Sequence, residues 1–291
     1  MAHVNRAVYL SAPFVPESDI ESAARLLGDL GMSVGAPERV ASGPDAVRID
    51  TAGGPEPDAV RDHLAPLRSD VCVQPAALRP GAALIVLDVD STFLEQEVIE
   101  LLADHAGARA EVAAVTERAM QGELDFAMSL RQRVATLAGL PVRTLDDVVA
   151  AVRPTPGARE LVDAAADASV TIGLVSGGFR EIVEPVAADF GITRVVANRL
   201  QVADGRLTGR VEGAIVDATA KLTALRGFAD DLAVDMSRTV AVGDGANDLE
   251  MLHAAGLGIA FDAKPAVVAR ADTHLSFRRL DAVLAPAGLR G

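Results

Sequence analysis

An α/β chain of two domains is predicted, built on a doubly wound parallel sheet with a small α+β unit in front. Three observations predict it. From residue 82 onward, short apolar runs alternate with amphipathic segments, as parallel strands buried on both faces require. Between the first and second of those runs the spacing is helical only. The first 80 residues instead follow the order βαββαβ, that of a ferredoxin-like unit. The length of 291 residues agrees with two domains, on a prior of about 150 residues each.

In the first part, residues 6–11 read as a strand. Residues 18–30 read as a helix with Ile20, Ala23, Ala24, Leu27 and Leu30 on one face. Residues 32–40 and 46–49 read as strands, the second with Val47 and Ile49 alternating with polar neighbours. Residues 57–67 form a helix with Val60, Leu64 and Leu67 on one side, and 71–73 a last short strand. Arg79-Pro80-Gly81 marks the boundary, giving domains of 1–80 and 81–291. In the second part, residues 82–87, 170–175, 194–197, 239–242 and 257–261 are the strands of a Rossmann-like sheet. Helical segments at 94–106, 108–121, 125–138 and 144–152 form an insert at about 94–153, a cap over whatever follows the first strand. Pro154-Thr155-Pro156-Gly157 closes it.

Half the residues are hydrophobic, so a sizeable core forms and disorder is excluded. No apolar run approaches the ~18 residues of a membrane span, and residues 1–13 lack the pattern of a signal peptide. Cys72 is the one cysteine, so no intrachain disulfide forms, which fits a reducing cytoplasm. The formal charge of −14 argues against nucleic acid as a partner, and the absence of Trp removes the best stacking surface. An anionic substrate would need a metal ion and local cations against this background.

The chemistry concentrates where two strands end. Asp88-Val89-Asp90-Ser91-Thr92 follows the run 82–87, and Gly243-Asp244-Gly245-Ala246-Asn247-Asp248 follows 239–242. Carboxylates at the carboxyl ends of parallel strands sit where α/β folds place their sites. Four Asp there repel one another unless a cation joins them, and hard oxygen ligands suit Mg²⁺. An ionised Asp is a nucleophile, and attack on phosphorus gives an aspartyl-phosphate. A crowded second carboxylate holds a proton for the leaving alkoxide. Asp244 is the better metal ligand; Asp248 either meets metal-bound waters or positions Lys221. Ser176-Gly177-Gly178, between a strand and a helix, lets backbone amides approach an anion.

Lys221 shares a helix face with Leu225 and Phe228, so it either meets a phosphoryl group or carries its ammonium out to water. Phe126, Leu130, Arg133 and Leu137 fall within an arc of about 60° on a cap helix. Arg133 therefore reaches into the cleft and suits a carboxylate, or else joins a buried ion pair. Glu97 lies beside Leu94, Val98 and Leu101, where it binds a substrate ammonium or stays a surface acid. His105 and His253 have no partner at ligand spacing and read as structural.

Together these residues resemble the haloacid-dehalogenase superfamily of aspartyl-phosphate phosphatases, whose four motifs are present in order. The stretches 88–97, 120–126, 129–134, Val175-Ser176-Gly177-Gly178-Phe179 and Val211-Glu212-Gly213 are similar to the phosphoserine phosphatase form of that superfamily. The resemblance covers about 82–277. It implies Mg²⁺-dependent hydrolysis of O-phospho-L-serine, the last step of L-serine biosynthesis. Asp88 would be nucleophile and metal ligand, and Asp90 the general acid/base, binding metal through its carbonyl. Asp244 would complete the protein ligands, with Asp248 beside it. Ser176, Gly177 and Lys221 would hold the phosphoryl group, with Asn247 nearby. Arg133 would take the serine carboxylate and Glu97 its ammonium, while Phe126 and Met120 help close the cap. The first 80 residues are similar in strand order to ACT-type regulatory modules, which implies a homodimer and an L-serine effector. Their first loop, residues 11–16, carries no glycine, which favours the dimerisation role. The motifs leave open a phosphotransferase to another amino-acid alcohol, a phosphatase for another small phosphomonoester, or an idle amino-acid sensor.

Overall fold

The computed structural model describes residues 5–40, 43–78, 81–120 and 123–289. The small unit runs β1 (Asn5–Ala12), α1 (Glu17–Asp29), β2 (Ser33–Val34), β3 (Glu38–Val40), β4 (Asp45–Ala52), α2 (Pro57–Leu64) and β5 (Asp70–Gln74). Its sheet has the order β2-β4-β1-β5, with β3 also on β4. The expected strand 32–40 is thus two short ones. Gly35 still donates to the Asp50 carbonyl at 2.7 Å, but Pro37 has no N–H to continue the ladder. Val8 and Leu10 of β1 pack with Ile20, Ala23 and Leu27 of α1 and Val60 and Leu64 of α2. Their neighbours Ala7 and Tyr9 face the other way, into the same core as Leu280, Ala282 and Val283 near the C-terminus. Alternate residues of one strand so serve two cores.

The remaining chain begins with β6 (Leu84–Leu87). The cap follows as α3 (Val98–Ala106), α4 (Arg109–Met120), α5 (Phe126–Ala135) and α6 (Arg143–Ala151). Then come α7 (Ala158–Asp167), β7 (Thr171–Phe179), α8 (Arg180–Asp189), β8 (Arg194–Ala203), β9 (Arg206–Glu212) and α9 (Ala218–Asp231). The end is β10 (Thr239–Gly243), α10 (Leu249–Ala254), β11 (Leu257–Phe261), α11 (Pro265–Val268) and β12 (Thr273–Leu275). The sheet order is β12-β11-β10-β6-β7-β8-β9, parallel except for β9. β6 lies between β10 and β7, so three neighbouring strands deliver Asp88, Asp244 and Ser176 to one edge.

β12 was not expected from the sequence, β7 runs on past 175 to Phe179, and two further features depart from the expectation. The first cap helix starts at Val98, not 94, because residues 89–93 wind a wide turn with Ser91 at φ 58°. The strand at 194 runs on to Ala203 and returns as β9, a hairpin that sequence reading missed. Asp204 and Gly205 turn it with φ of 50° and 70°, the conformation an Asp-Gly hairpin turn requires. This hairpin touches the cap: Gly139 donates to the Leu207 carbonyl and Leu207 to that of Leu140, both at 2.8 Å.

The small unit is fastened to the large one. Thr273 Oγ1 donates to the Val71 carbonyl at 2.7 Å, and Gln74 Nε2 to that of Pro286 at 3.0 Å. Asp70 accepts from the Ser276 amide at 2.6 Å. Arg79 and Pro80, where the boundary was expected, lie outside the described residues. No described helix is long and apolar enough to cross a membrane.

Candidate active site

Asp88 stands at the end of β6, buried, its amide bound to the Val242 carbonyl of β10 at 2.9 Å. Lys221 enters from α9 and is 0% exposed. Its ammonium donates to Asp88 Oδ1 at 2.5 Å and to Asp248 Oδ1 at 2.7 Å. The alternative of an ammonium carried out to water is therefore not what the fold does. Asp248, also fully buried, accepts the Gly245 amide on its other oxygen at 2.9 Å. Both its oxygens are engaged, so it holds Lys221 and the loop after β10 together.

The Asp90 carboxylate lines the same cavity but has partners of its own. It accepts the Val98 amide at 2.7 Å and the Ser176 hydroxyl at 3.0 Å. The Gly178 amide donates in turn to Ser176 Oγ at 2.7 Å. A Cβ on Gly178 would lie 2.6 Å from an Asp90 oxygen, which explains the glycine. β7 continues through this segment to Phe179, with its register to β8 shifted between Ser176 and Phe179. Asp244 accepts the Thr92 hydroxyl at 3.1 Å. Thr92 was not among the expected site residues, although it belongs to the first motif.

Asp88, Asp244 and Asp248 each bring an oxygen to within 4.8 Å of the others. Burial first, then Asp248, pushes the Asp88 carboxyl well above the usual carboxylate range, while Lys221 draws it back. Burial likewise raises Asp90, and with Asp248 it lifts Asp244 to about 6. Burial alone would lower Lys221, but Asp248 and Asp88 outweigh it and raise the ammonium's pKa. The donors are all oxygen, and their negative charge exceeds that of the cations beside them. That excess and that donor set fit a divalent, hard cation.

A cavity of about 190 Å³ opens on this group, lined by Asp88, Asp90, Asp244 and Asn247 below and by Glu97, Ile99, Phe126, Leu130 and Arg133 from the cap side. Gly177, Gly178 and Gly245 form the remaining wall. Glu97 Oε1 accepts the Ser91 hydroxyl at 2.9 Å, and burial followed by the nearby Asp90 lifts Glu97 to about 7. Arg133 donates to the Ser129 carbonyl at 3.4 Å; burial lowers its pKa, and Glu97 pulls the other way. Among the described residues it makes no ion pair. Leu130 was expected on the apolar stripe of Arg133; Ile99 was not singled out from the sequence, because an apolar position on a cap helix carried no chemical signal. The Met120 side chain lies outside the described residues. A larger cavity of about 740 Å³ shares Phe126, Arg133 and Asn247 with the first and opens between α4, α5 and the start of α9.

A family model for haloacid dehalogenase-like hydrolases matches residues 85–253. The chain is 56% identical over 201 residues to the phosphoserine phosphatase SerB2 of Mycobacterium tuberculosis, covering 69% of this chain and 49% of that protein. To the phosphoserine phosphatase of Streptomyces coelicolor it is 45% identical over 280 residues, 94% of this chain and 68% of the relative. The chain thus spans about half of the first relative and about two thirds of the second. A solved phospho-aspartyl intermediate analogue of a phosphoserine phosphatase superposes with a TM-score of 0.67 at 40% identity, over 70% of this chain and 98% of that one. The paired Asp88 and Asp90, the buried Lys221, the Asp244 loop and these likenesses agree: the chain belongs to the haloacid dehalogenase-like hydrolases, in their phosphoserine phosphatase branch.

Proposed function

We propose that the protein hydrolyses O-phospho-L-serine to L-serine and inorganic phosphate, with Asp88 carrying the phosphoryl group between two steps. The observation that carries this is one small cavity lined both by Asp88 and Asp90 and by Glu97 and Arg133. Lys221 holds one oxygen of Asp88 and leaves the other to attack phosphorus. As the Asp88–phosphorus bond forms, the bond to the serine oxygen breaks and Asp90 gives that oxygen a proton. Asp90 then takes a proton from a water that attacks the aspartyl-phosphate. The phosphorus–Asp88 bond breaks, and phosphate leaves.

Lys221 and the Gly177 amide offset charge on the phosphoryl oxygens, with Ser176 and Asn247 beside them. Mg²⁺ would be held by Asp88, the Asp90 carbonyl and Asp244, with Asp248 behind; when bound it neutralises the charge gathered on phosphoryl and carboxylate oxygens. Arg133 takes the substrate carboxylate and Glu97 its ammonium, and Phe126 and Met120 close the cap over them. Residues 1–80 serve as an ACT-like dimerisation and regulatory domain, with L-serine as effector, and 81–291 as the phosphatase domain with its cap at about 94–153. The setting is the cytoplasm.

The test is phosphate release from L-phosphoserine, L-phosphothreonine, phosphohomoserine, glycerol phosphate and a sugar phosphate, with and without Mg²⁺. A strong preference for L-phosphoserine, lost without Mg²⁺ and in Asp88→Asn, is expected. Flat activity across the panel would overturn the substrate assignment.

A further inference from the structure

The turn that carries the catalytic pair is clamped from outside the motif. Ser91, between Asp90 and Thr92, adopts a left-handed backbone at φ 58° that a residue with a side chain rarely takes. Its side chain is tied to Glu97, and its amide donates to the Gln96 carbonyl at 3.3 Å. The Ser91 carbonyl accepts Arg278 Nη2 at 2.8 Å, and the same nitrogen reaches the Glu95 carbonyl at 3.3 Å. Arg278 thus spans both ends of the segment that aims Asp90 and Glu97.

Two residues before it, Ser276 is bound to the small unit. Asp70 of β5, itself buried, accepts the Ser276 amide at 2.6 Å and its hydroxyl at 3.1 Å. The Asp70 carboxylate also lies 3.2 Å from His274 Nε2. One short stretch, residues 274–278, is held by the small unit at one end and holds the catalytic turn at the other.

We propose that Arg278 is a positioning residue for the catalytic turn, and that the small domain sets it through Asp70, so that docking of that domain governs turnover. With the stretch in place, Ser91 keeps its left-handed turn and Asp90 stays aimed between Val98 and Ser176. With Asp70 disengaged, Arg278 slackens and the turn relaxes toward the commoner right-handed backbone. No ligand is needed for this coupling; anything that shifts the small domain acts through it.

The experiment compares Arg278→Met, Arg278→Lys, Asp70→Ala, Asp70→Ala with Arg278→Met, and Gln74→Ala, all in the full chain. Gln74→Ala cuts another bond between the two units without touching 274–278, and its kcat is expected within twofold of wild type. Arg278→Met is expected to lower kcat about tenfold, less than the roughly hundredfold that a 1 Å misplacement of reacting groups can cost. Arg278→Lys, which keeps one donor nitrogen and the charge, falls between. Asp70→Ala lowers kcat several-fold, and the double variant is no slower than Arg278→Met alone. Amide exchange over residues 89–98 rises about tenfold in Arg278→Met and also rises in Asp70→Ala. The turnover arm rests on the phosphatase function proposed above. The exchange arm does not, so an enzyme inactive on phosphoserine still tests the coupling. Unchanged exchange in Arg278→Met, or rate losses that multiply in the double variant, would overturn it.

Discussion

Lys221 carries the charge balance of the site, because two buried carboxylates depend on its ammonium. Removing one member of such a group leaves the others buried and unpaired. Lys221→Met is therefore expected to cost about 3–5 kcal/mol of stability. It should also abolish phosphate release; denaturant unfolding and the release assay read the two effects separately. Glu97 yields a second expectation. Raised to about 7, it gains a proton as pH falls through that value and loses the charge that would bind an ammonium. KM for phosphoserine should rise as pH drops from 8 to 6. Glu97→Gln should raise KM at pH 8 and flatten that limb; a variant with the wild-type profile would remove Glu97 from the ammonium's site. At this scale much was legible. Lys221 stood out by its helix face, and Arg133 by its place on an apolar stripe. Of the two partners of Lys221, Asp248 was one of the readings of the sequence, but Asp88 was not, since it lies 133 residues away in the chain and only the sheet order brings the two together.

Helices and strands were legible to the degree that one period dominated each. The four cap helices each kept one apolar face, and all four form. The hairpin of β8 and β9 was missed because its strands are short of apolar residues on one side, although Asp204-Gly205 between alternating residues is a recognisable turn signal. The hairpin matters because it braces the cap against the sheet. Gly209 sits on β9 at φ 78°, and a Cβ there would lie 2.9 Å from the Ala138 Cβ in the turn after the cap's third helix. Gly209→Ala meets both a disfavoured backbone and that close approach. It is expected to destabilise by about 1–2 kcal/mol. Because the strain falls on the brace, KM should rise while the environment of Lys221 is untouched. Asp125, whose side chain accepts the Met128 amide at 2.7 Å, gives a comparison at the other end of the same helix. Asp125→Ala is expected to cost about 1 kcal/mol by loss of the cap bond, measured by thermal unfolding.

For the whole molecule, the boundary expected near residue 80 does not divide the core. A strand with one covered face shows one apolar parity, whereas β1 is apolar on both: Val8 and Leu10 meet the small unit's helices, and Ala7 and Tyr9 meet the C-terminal segment. Ala46 of β4 and Cys72 of β5 join the second set. The run Ala7-Val8-Tyr9-Leu10 thus held, in plain view, the information that this sheet is covered twice; pattern reading took it only as a strand. The consequence is mechanical. Two units that share a core cannot open one at a time without exposing it, so the small domain is not a free appendage, and any dimer it forms must use surface other than this sheet face. Calorimetry of the full chain is expected to show one unfolding transition. Tyr9→Ala, which opens a cavity in the shared core at a cost of about 3 kcal/mol, should lower that single transition by roughly 5–10 °C. It should leave it undivided, with loss of phosphate release following the same curve. Two resolved transitions, with only the lower one moved by Tyr9→Ala, would mean that the units fold apart. The contacts from Asp70 to Arg278 would then join two bodies that come and go.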